Sequence, residues 1–491
     1  MRFSTQGLSS AGMDLTAPFS VLVQLAPHVE RAPGIDRDIL VETSVDMHFE
    51  DVLRVLPGRR CAGIARVAQA TGGLDIDQPY FVKIFYGEGA RRYWQRELTG
   101  ASYFAKAGVP RAQVLASGNT EDGQGFVVVY ELLPQAQSVD PNNSQHIENI
   151  VQILAQLHAA GFVQTDVHLN NFVLSQQKVY AVDADGARSV RLLRQQFTNL
   201  ALFFAQRSAD YDGQVVELWH LYANKRGEYV QKMGSANQLL ALTKQQRRAR
   251  IAKYLKKTQR ECSEFVHRKR WQRETVCERE YWPLLQHFTV FPEEYMQQGE
   301  VLKLGNSSTV VRIKVDGHSL IVKRYNIKNA LHRIRRWFKR RARNAWCNGH
   351  HLAFIDLPTA KPIALVESRF GWFVGVSYLV MPDCGTHTLL DQVHNWERAG
   401  QDYENQFADV AKDVVALLEK LRAAHLVHGD LKATNLIITE DGVKLIDYDA
   451  LARTNGGQDS LIDVHRFMQN WVESPTQEKW QRRLEDAGLL R

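Results

Sequence analysis

The sequence predicts an α+β chain in which one module occurs twice in tandem, each copy pairing a small antiparallel β-rich lobe with a helical lobe. Three observations predict it: a ten-residue segment recurs, polar residues downstream of it keep register in both places, and a strand with one lysine lies upstream of each. The segment is Leu157-His-Ala159-Ala160-Gly-Phe-Val163-Gln-Thr-Asp166 in one copy and Leu421-Arg-Ala423-Ala424-His-Leu-Val427-His-Gly-Asp430 in the other. All matching positions are offset by 264, and the same offset carries Asn171 onto Asn435 and Asp183 onto Asp447. Internal repetition of this kind means a duplicated folding unit.

The elements follow in the same order in both copies. Residues 1–46 show no pattern and form an N-terminal segment. Short loops with small residues, Gly58 to Gly63 and Gly305 to Thr309, precede the lysine strands Phe81-Val-Lys83-Ile-Phe85 and Leu320-Ile-Val-Lys323-Arg-Tyr325, in which the lysine points to the polar side. A helical run over 91–107 carries Glu97, 14 residues past Lys83. Apolar residues at helical spacing come next: Ile147, Ile150, Val151, Leu154 and Leu157, then Phe407, Val410, Val414, Leu418 and Leu421. Each helix runs into a loop holding the aspartate and asparagine, and then into two brief strands, 172–174 with 179–182 and 436–438 with 443–446. Residues 184–290, rich in Leu, Gln and Arg, read as helices completing the first lobe. These readings place the first domain over 47–292 and the second over 296–491, with the boundary around Pro292.

Composition narrows the class. Hydrophobic content of 44% and charged content of 23% exclude a disordered or fibrous chain. Five cysteines without a CxxC pair argue against a disulfide framework and fit a reducing compartment. No signal peptide or spanning helix is legible, so a soluble intracellular protein is expected. The net charge of +7 is unevenly spread: 244–273 carries +10 and 324–343 carries +9, which leaves −12 for the rest. Such segments suit polyanionic partners, or are solvated helix faces.

The repeated polar residues carry the chemistry. An aspartate followed after five residues by asparagine, and twelve further on by a second aspartate, is the spacing of kinase-type phosphoryl transfer. Asp166 and Asp430 would orient an acceptor hydroxyl. Asn171 with Asp183, and Asn435 with Asp447, are oxygen ligands suited to Mg²⁺. Lys83 and Lys323 would meet ATP phosphates, with Glu97 holding Lys83 in place. Counting back from Pro358 as Glu97 precedes Pro110 lands on Ala345, with Asn344 and Asn348 nearby, so the second lysine lacks the equivalent acid. His168 and Lys432, two residues after each loop aspartate, are candidate cofactor contacts; His168 and His428 also suit ordinary hydrogen-bonded loop histidines. Strand ends at Tyr130-Glu131-Leu132 and Leu379-Val380-Met381 stand where adenine could meet backbone groups.

At these residues the chain resembles the protein-kinase-like superfamily, and within it the bacterial lipopolysaccharide core kinases. The likeness rests on Asp166-Val-His168-Leu-Asn-Asn171-Phe172, on His428-Gly-Asp430 with Asn435, and on Leu445-Ile-Asp447-Tyr-Asp449. The stretch from Arg343 through Trp346 to Pro362 and the terminal Asp463, Arg466, Phe467 and Trp471 add to it. The resemblance implies ATP- and Mg²⁺-dependent transfer to a heptose or Kdo hydroxyl of the lipopolysaccharide core precursor, at the cytoplasmic face of the inner membrane. It assigns Asp166 and Asp430 as catalytic and Asn171, Asp183, Asn435 and Asp447 as metal ligands. Segments 244–273 and 324–343, the latter with Ile334, Trp337 and Phe338, would then touch an anionic membrane surface. Two units depart from the single unit of that family, and Gln164-Thr165 replaces the usual residues before the first loop aspartate. A pseudokinase scaffold and a small-molecule phosphotransferase of the aminoglycoside or choline kinase type are the alternatives. Nucleic-acid binding has no sequence motif behind it.

Overall fold

The computed structural model describes residues 19–25, 43–68, 74–76, 78–326, 340–370, 373–399, 403–454 and 461–490. Ile334, Trp337, Phe338 and most of the basic segment 324–343 lie outside them. The chain divides into two compact units, Met1–Arg207 with Gly213–Gln246 and Ser208–Asp212 with Arg247–Arg491. Both are α+β.

In the first unit, β1 (Phe19–Leu25), β2 (Thr43–Leu56), β3 (Arg60–Val67), β4 (Pro79–Tyr86), β5 (Val114–Thr120) and β6 (Gly125–Glu131) close into a barrel in the order β1-β2-β3-β4-β6-β5. Part of the segment 1–46 is therefore a barrel stave, because β1 pairs with both β2 and β5 and removes the open edges. Strand alternation sorts the side chains of β4. Val82 and Ile84 join the barrel core with Val21, Met47, Ala65, Val127 and Val129. Phe85 faces outward with Val128 and Tyr130, against Phe81, Trp94 and Leu98, the last two on α1 (Ala90–Lys106). Lys83 shares this outward face of β4, yet it is buried, 6% exposed, because the helical lobe covers it.

The helical lobe of this unit begins with β7 (Gln137–Ser138) and α2 (Ser144–Ala159), whose Asn143 cap accepts from the amides of Gln145 and His146. Its apolar stripe Ile147, Ile150, Val151, Leu154 and Leu157 is buried, as the periodicity predicts. Then follow β8 (Phe162–Gln164), the hairpin β9 (Phe172–Ser175) with β10 (Lys178–Ala181), β11 (Ala187–Ser189), α3 (Leu193–Phe204), α4 (Val215–Arg226) and α5 (Ala236–Lys257).

The second unit takes in the end of α5 from Arg247, and strands then follow where the sequence pattern reads as helix. β12 (Phe265–Arg270) and β13 (Arg273–Glu278) form a hairpin, and β13 hydrogen-bonds to β17 (Ala364–Phe370) of the second copy. The compact units divide at Gln246/Arg247, ahead of the boundary expected around Pro292. Between the strands come α6 (Trp282–Val290), α7 (Pro292–Gln298), β14 (Glu300–Lys303), β15 (Ser308–Val315), β16 (His318–Tyr325) and α8 (Arg341–Phe354). With β18 (Phe373–Pro382) the seven-stranded order is β12-β13-β17-β18-β16-β15-β14. One face packs Val311, Ile313, Val322, Val366 and Val380 against Leu285 and Phe288 of α6. The other packs Val276, Leu365, Leu379 and Tyr325 against Ala345 and Trp346 of α8.

The second helical lobe comprises α9 (Leu389–Ala399), α10 (Glu404–Ala423), β19 (Leu426–Val427), the hairpin β20 (Leu436–Thr439) with β21 (Gly442–Leu445), β22 (Ala452–Arg453), α11 (Leu461–Met468) and α12 (Gln477–Asp486). Phe407, Phe467, Trp471 and Trp480 pack, edge-on except for the stacked Trp471–Trp480 pair, into one aromatic cluster that fixes α10, α11 and α12 to one another.

Candidate active site

Both units bring the strand lysine to the aspartate that follows the hairpin. In the first, Lys83 Nζ lies 2.6 Å from Glu97 Oε1 and 3.2 Å from Asp183 Oδ1. Arg60 Nη2 reaches Asp183 Oδ2 at 3.4 Å, and the Tyr130 hydroxyl donates to Glu97 Oε1 at 2.6 Å. Burial alone would lower the Lys83 ammonium, but the Glu97 and Asp183 carboxylates outweigh it and raise the pKa. The lysine–glutamate pair predicted from spacing is formed.

In the second unit Lys323 Nζ lies 2.6 Å from Asp447 Oδ1 and 3.1 Å from Asp449 Oδ2. The helix α8 carries no carboxylate to match Glu97. Asp449 takes that place: the Tyr325 hydroxyl donates to its Oδ1 at 2.7 Å, and Arg341 Nη2 meets its Oδ2 at 3.0 Å. The offset of 264 maps Asp185 onto Asp449. In the first unit Asp185 turns instead to Arg96 Nε on α1 at 2.9 Å. The repeated Asp-x-Asp was present in the sequence, and its second aspartate is a site residue the motif reading missed.

The aspartates 183 and 447 share an unusual backbone, with φ of +60° and +57°. Holding a non-glycine residue there costs energy and recurs at functional sites. Two glycines make room for this turn. A Cβ on Gly100 of α1 would sit 1.8 Å from the Ala184 carbonyl oxygen, and one on Gly349 of α8 would sit 2.8 Å from the Tyr448 hydroxyl and 2.4 Å from Pro362 Cδ. Ala184 and Tyr448 are the central residues of the two Asp-x-Asp segments.

The loop residues are held alike, then diverge. Asn171 Nδ2 donates to the Asp166 carbonyl at 2.6 Å and Asn435 Nδ2 to that of Asp430 at 2.9 Å. Each amide nitrogen is thereby committed, which leaves Oδ1 as the acceptor for a cation. Asp166 is 77% exposed, with His168 Nε2 at 3.4 Å. Asp430 is more enclosed: Lys432 Nζ lies 2.9 Å from Oδ2 and Arg466 Nε 3.1 Å from Oδ1. Partial burial works to raise the Asp430 carboxyl, and these two cations override it to hold the pKa below the usual range. Asp463 accepts the His428 and Gly429 amides at 2.6 and 2.8 Å and so fixes the loop backbone. The counterparts of Asp463 and Arg466 are Asn199 and Leu202. Asn199 binds the His158 ring and the Gln164 carbonyl, so neither loop-bracing charge survives in the first unit.

Room separates the copies further. The cavity beside Lys83 and Asp183 measures about 40 Å³ and is walled by Phe81, Phe104 and Tyr130. The cavity beside Lys323 measures about 430 Å³, and Asn435, Asp447, Asp449, Leu379 and Met381 line it. Strand register gives the cause. Phe81 pairs with Tyr130 across β4 and β6, and the corresponding pair across β16 and β18 is Ile321 with Met381. Two aromatic rings thus stand where the second unit has aliphatic side chains, and the Tyr130–Glu97 bond fixes one of them. Ligand sites occupy roughly 300–1,000 Å³. The expectation of an adenine near Leu379–Met381 keeps its space; the one near Tyr130 loses it.

Of residues 58–63, only 58 and 59 lie outside the strands, and Arg60 at the start of β3 is the residue that reaches Asp183. Gly58 sits in the β2–β3 turn with φ of +68°, and Gly63 lies within β3. Residues 304–307 do link β14 to β15, braced by Asn326 Nδ2 on the Gly305 carbonyl at 2.9 Å. Among the described residues no group of three or more His, Cys, Asp or Glu forms a metal cluster. A cation bound by Asn171 with Asp183, or by Asn435 with Asp447, would meet one carboxylate and one amide oxygen, a set that suits an ion keeping waters and bridging phosphates.

No family model matches the chain. Over 109 residues it is 31% identical to Serine/threonine-protein kinase 1 of Arabidopsis thaliana; the match covers 21% of this chain and 13% of that protein's length. A solved structure of WaaP in complex with acyl carrier protein aligns at a TM-score of 0.35 and 16% identity, with 43% of this chain and 87% of that one covered.

Proposed function

We propose that the second unit is an ATP- and Mg²⁺-dependent phosphotransferase, and that the first keeps the fold without taking nucleotide. The observation that carries this reading is the cavity of about 430 Å³ whose walls include Lys323, Asn435 and Asp447 together. Lys323 binds the nucleotide phosphates, with Asp449 and Tyr325 setting its direction. Asn435 Oδ1 and the Asp447 carboxylate would hold Mg²⁺, which supplies charge neutralisation on the phosphates when bound. Asp430, kept ionised by Lys432 and Arg466, orients the acceptor hydroxyl and accepts its hydrogen bond. Most of the rate then comes from positioning and charge stabilisation rather than covalent chemistry.

The acceptor we propose is a sugar hydroxyl, heptose or Kdo, of the lipopolysaccharide inner core, reached at the cytoplasmic face of the membrane. The motif resemblance supports it, and so does the pair of cations beside Asp430, which favours an anionic sugar. The first unit fits the scaffold reading, on its small cavity and its missing loop braces. The test is transfer of labelled phosphate from ATP to purified, dephosphorylated core oligosaccharide by the full chain. Asp430→Ala should abolish transfer and Asp166→Ala should leave it. Labelling of aminoglycosides or choline alone would move the protein to the small-molecule class, and no labelling of any acceptor would defeat the enzyme reading.

A further inference from the structure

One end of the second unit's sheet gathers apolar side chains that no core absorbs. The turn between β12 and β13 is Trp271-Gln272, and Trp271 is 73% exposed. The neighbouring hairpin closes at the Phe370–Phe373 pair, with Phe370 77% exposed. The two turns are stitched side by side, since the Arg369 amide donates to the Gln272 carbonyl at 2.7 Å. A third segment joins them. Arg273 Nη1 donates to the carbonyls of Thr289, at 2.8 Å, and Val290, so the end of α6 is tied to the same edge. Val290 and Phe291 there are also exposed.

Cations border these rings. Arg268, Lys269 and Arg270 are exposed along β12. Arg268 is engaged by Glu261 at 3.3 Å, whereas among the described residues neither Lys269 nor Arg270 has a carboxylate within pairing distance. The acids on the adjoining strands are spent: Glu274 is buried against Arg343 and Arg369, and Glu367 against Arg343. Glu293 of α7 is held by Arg324 at 2.8 Å; Glu294 beside it is exposed. An exposed cluster of Trp and Phe is unusual on a monomer surface and marks an interaction site. Apolar rings beside Lys269 and Arg270, which no carboxylate pairs among the described residues, match the boundary between anionic headgroups and acyl chains.

We propose that this edge, led by Trp271 and Phe370 with Lys269 and Arg270, docks the protein on an anionic lipid bilayer. The inference needs no nucleotide chemistry and stands or falls apart from it. The test is co-sedimentation of the full chain with phosphatidylglycerol–phosphatidylethanolamine vesicles and with neutral phosphatidylcholine vesicles. The natural protein should favour the anionic vesicles about tenfold or more. The pair Trp271→Ser with Phe370→Ser, and separately Lys269→Ser with Arg270→Ser, should each weaken that binding about tenfold or more while melting temperature and MgATP titration stay unchanged. Partition of either folded double variant equal to that of the natural protein would overturn the proposal, as would failure of the natural protein to sediment with anionic vesicles. A change of oligomeric state in the lipid-free Trp271→Ser/Phe370→Ser variant, with vesicle binding intact, would overturn it in favour of a protein interface.

Discussion

Lys83 and Lys323 occupy the same strand position and are both nearly buried, 6% and 7% exposed, but their partners give them different work. Lys83 closes a buried network with Glu97, Tyr130 and Asp183, beside a cavity too small for a nucleotide. Lys83→Met leaves the fully buried Glu97 uncompensated and should destabilise the first unit by about 3 kcal/mol, read by denaturant unfolding, with nucleotide affinity unchanged. Lys323→Met should do the reverse, abolishing nucleotide binding. Asp449→Asn should weaken nucleotide binding about tenfold by releasing Lys323, with Asp449→Glu recovering part of it and leaving kcat less affected than KM. The spacing of Asp, Asn and Asp was legible without a structure because local loop geometry ties those residues at the same distances in both places. The exchange of Glu97 for Asp449 was not, since the substitute comes from a different element, 126 residues beyond its lysine rather than 14.

Among the elements, α1 and α8 do the same job through glycine. Each lies so close to the turn after the hairpin that a methyl group has no space, at Gly100 against Ala184 and at Gly349 against Tyr448 and Pro362. Gly100→Ala and Gly349→Ala should each push the helix outward and lower the melting temperature by several degrees, for a cost of about 1–3 kcal/mol. Only Gly349→Ala should also reduce phosphotransfer. Helices with a clear apolar stripe, such as α2 and α10, were readable from periodicity alone. The hairpin β12–β13 was not: Phe-Val-His-Arg-Lys-Arg lacks the apolar alternation of a half-buried strand, and its turn has no glycine or asparagine. Its charged residues suit an edge strand, where they discourage pairing with another chain.

At the scale of the whole molecule, the boundary at Gln246/Arg247 has a direct consequence. A fragment beginning at Arg247 keeps the seven-stranded sheet, whereas one beginning at Glu293 bares the β17 edge and strips α6 from its core; only the first should be monomeric and cooperatively folded by gel filtration and thermal melting. Acid sensitivity is also distributed across the chain. Burial lowers His158 and His351 to about 4 and His350 to about 3, from 6.5. These rings fold neutral, so their contribution is complete above pH 6.5 and fades as pH falls toward the folded values. The loss is on the order of 2 kcal/mol per histidine at pH 5, visible as a melting temperature that drops between pH 7 and pH 5. The fixed offset of 264 pointed to two units, and the chain divides into two compact ones, but the inequality of the two clefts was not legible, because it turns on which way Phe81 and Tyr130 face. No helix among the described residues is long and apolar enough to cross a membrane. The most direct measurement is calorimetric titration of the full chain with MgATP. One nucleotide per chain is predicted, lost in Lys323→Met and kept in Lys83→Met; two per chain, or loss on changing Lys83 with retention on changing Lys323, would contradict it.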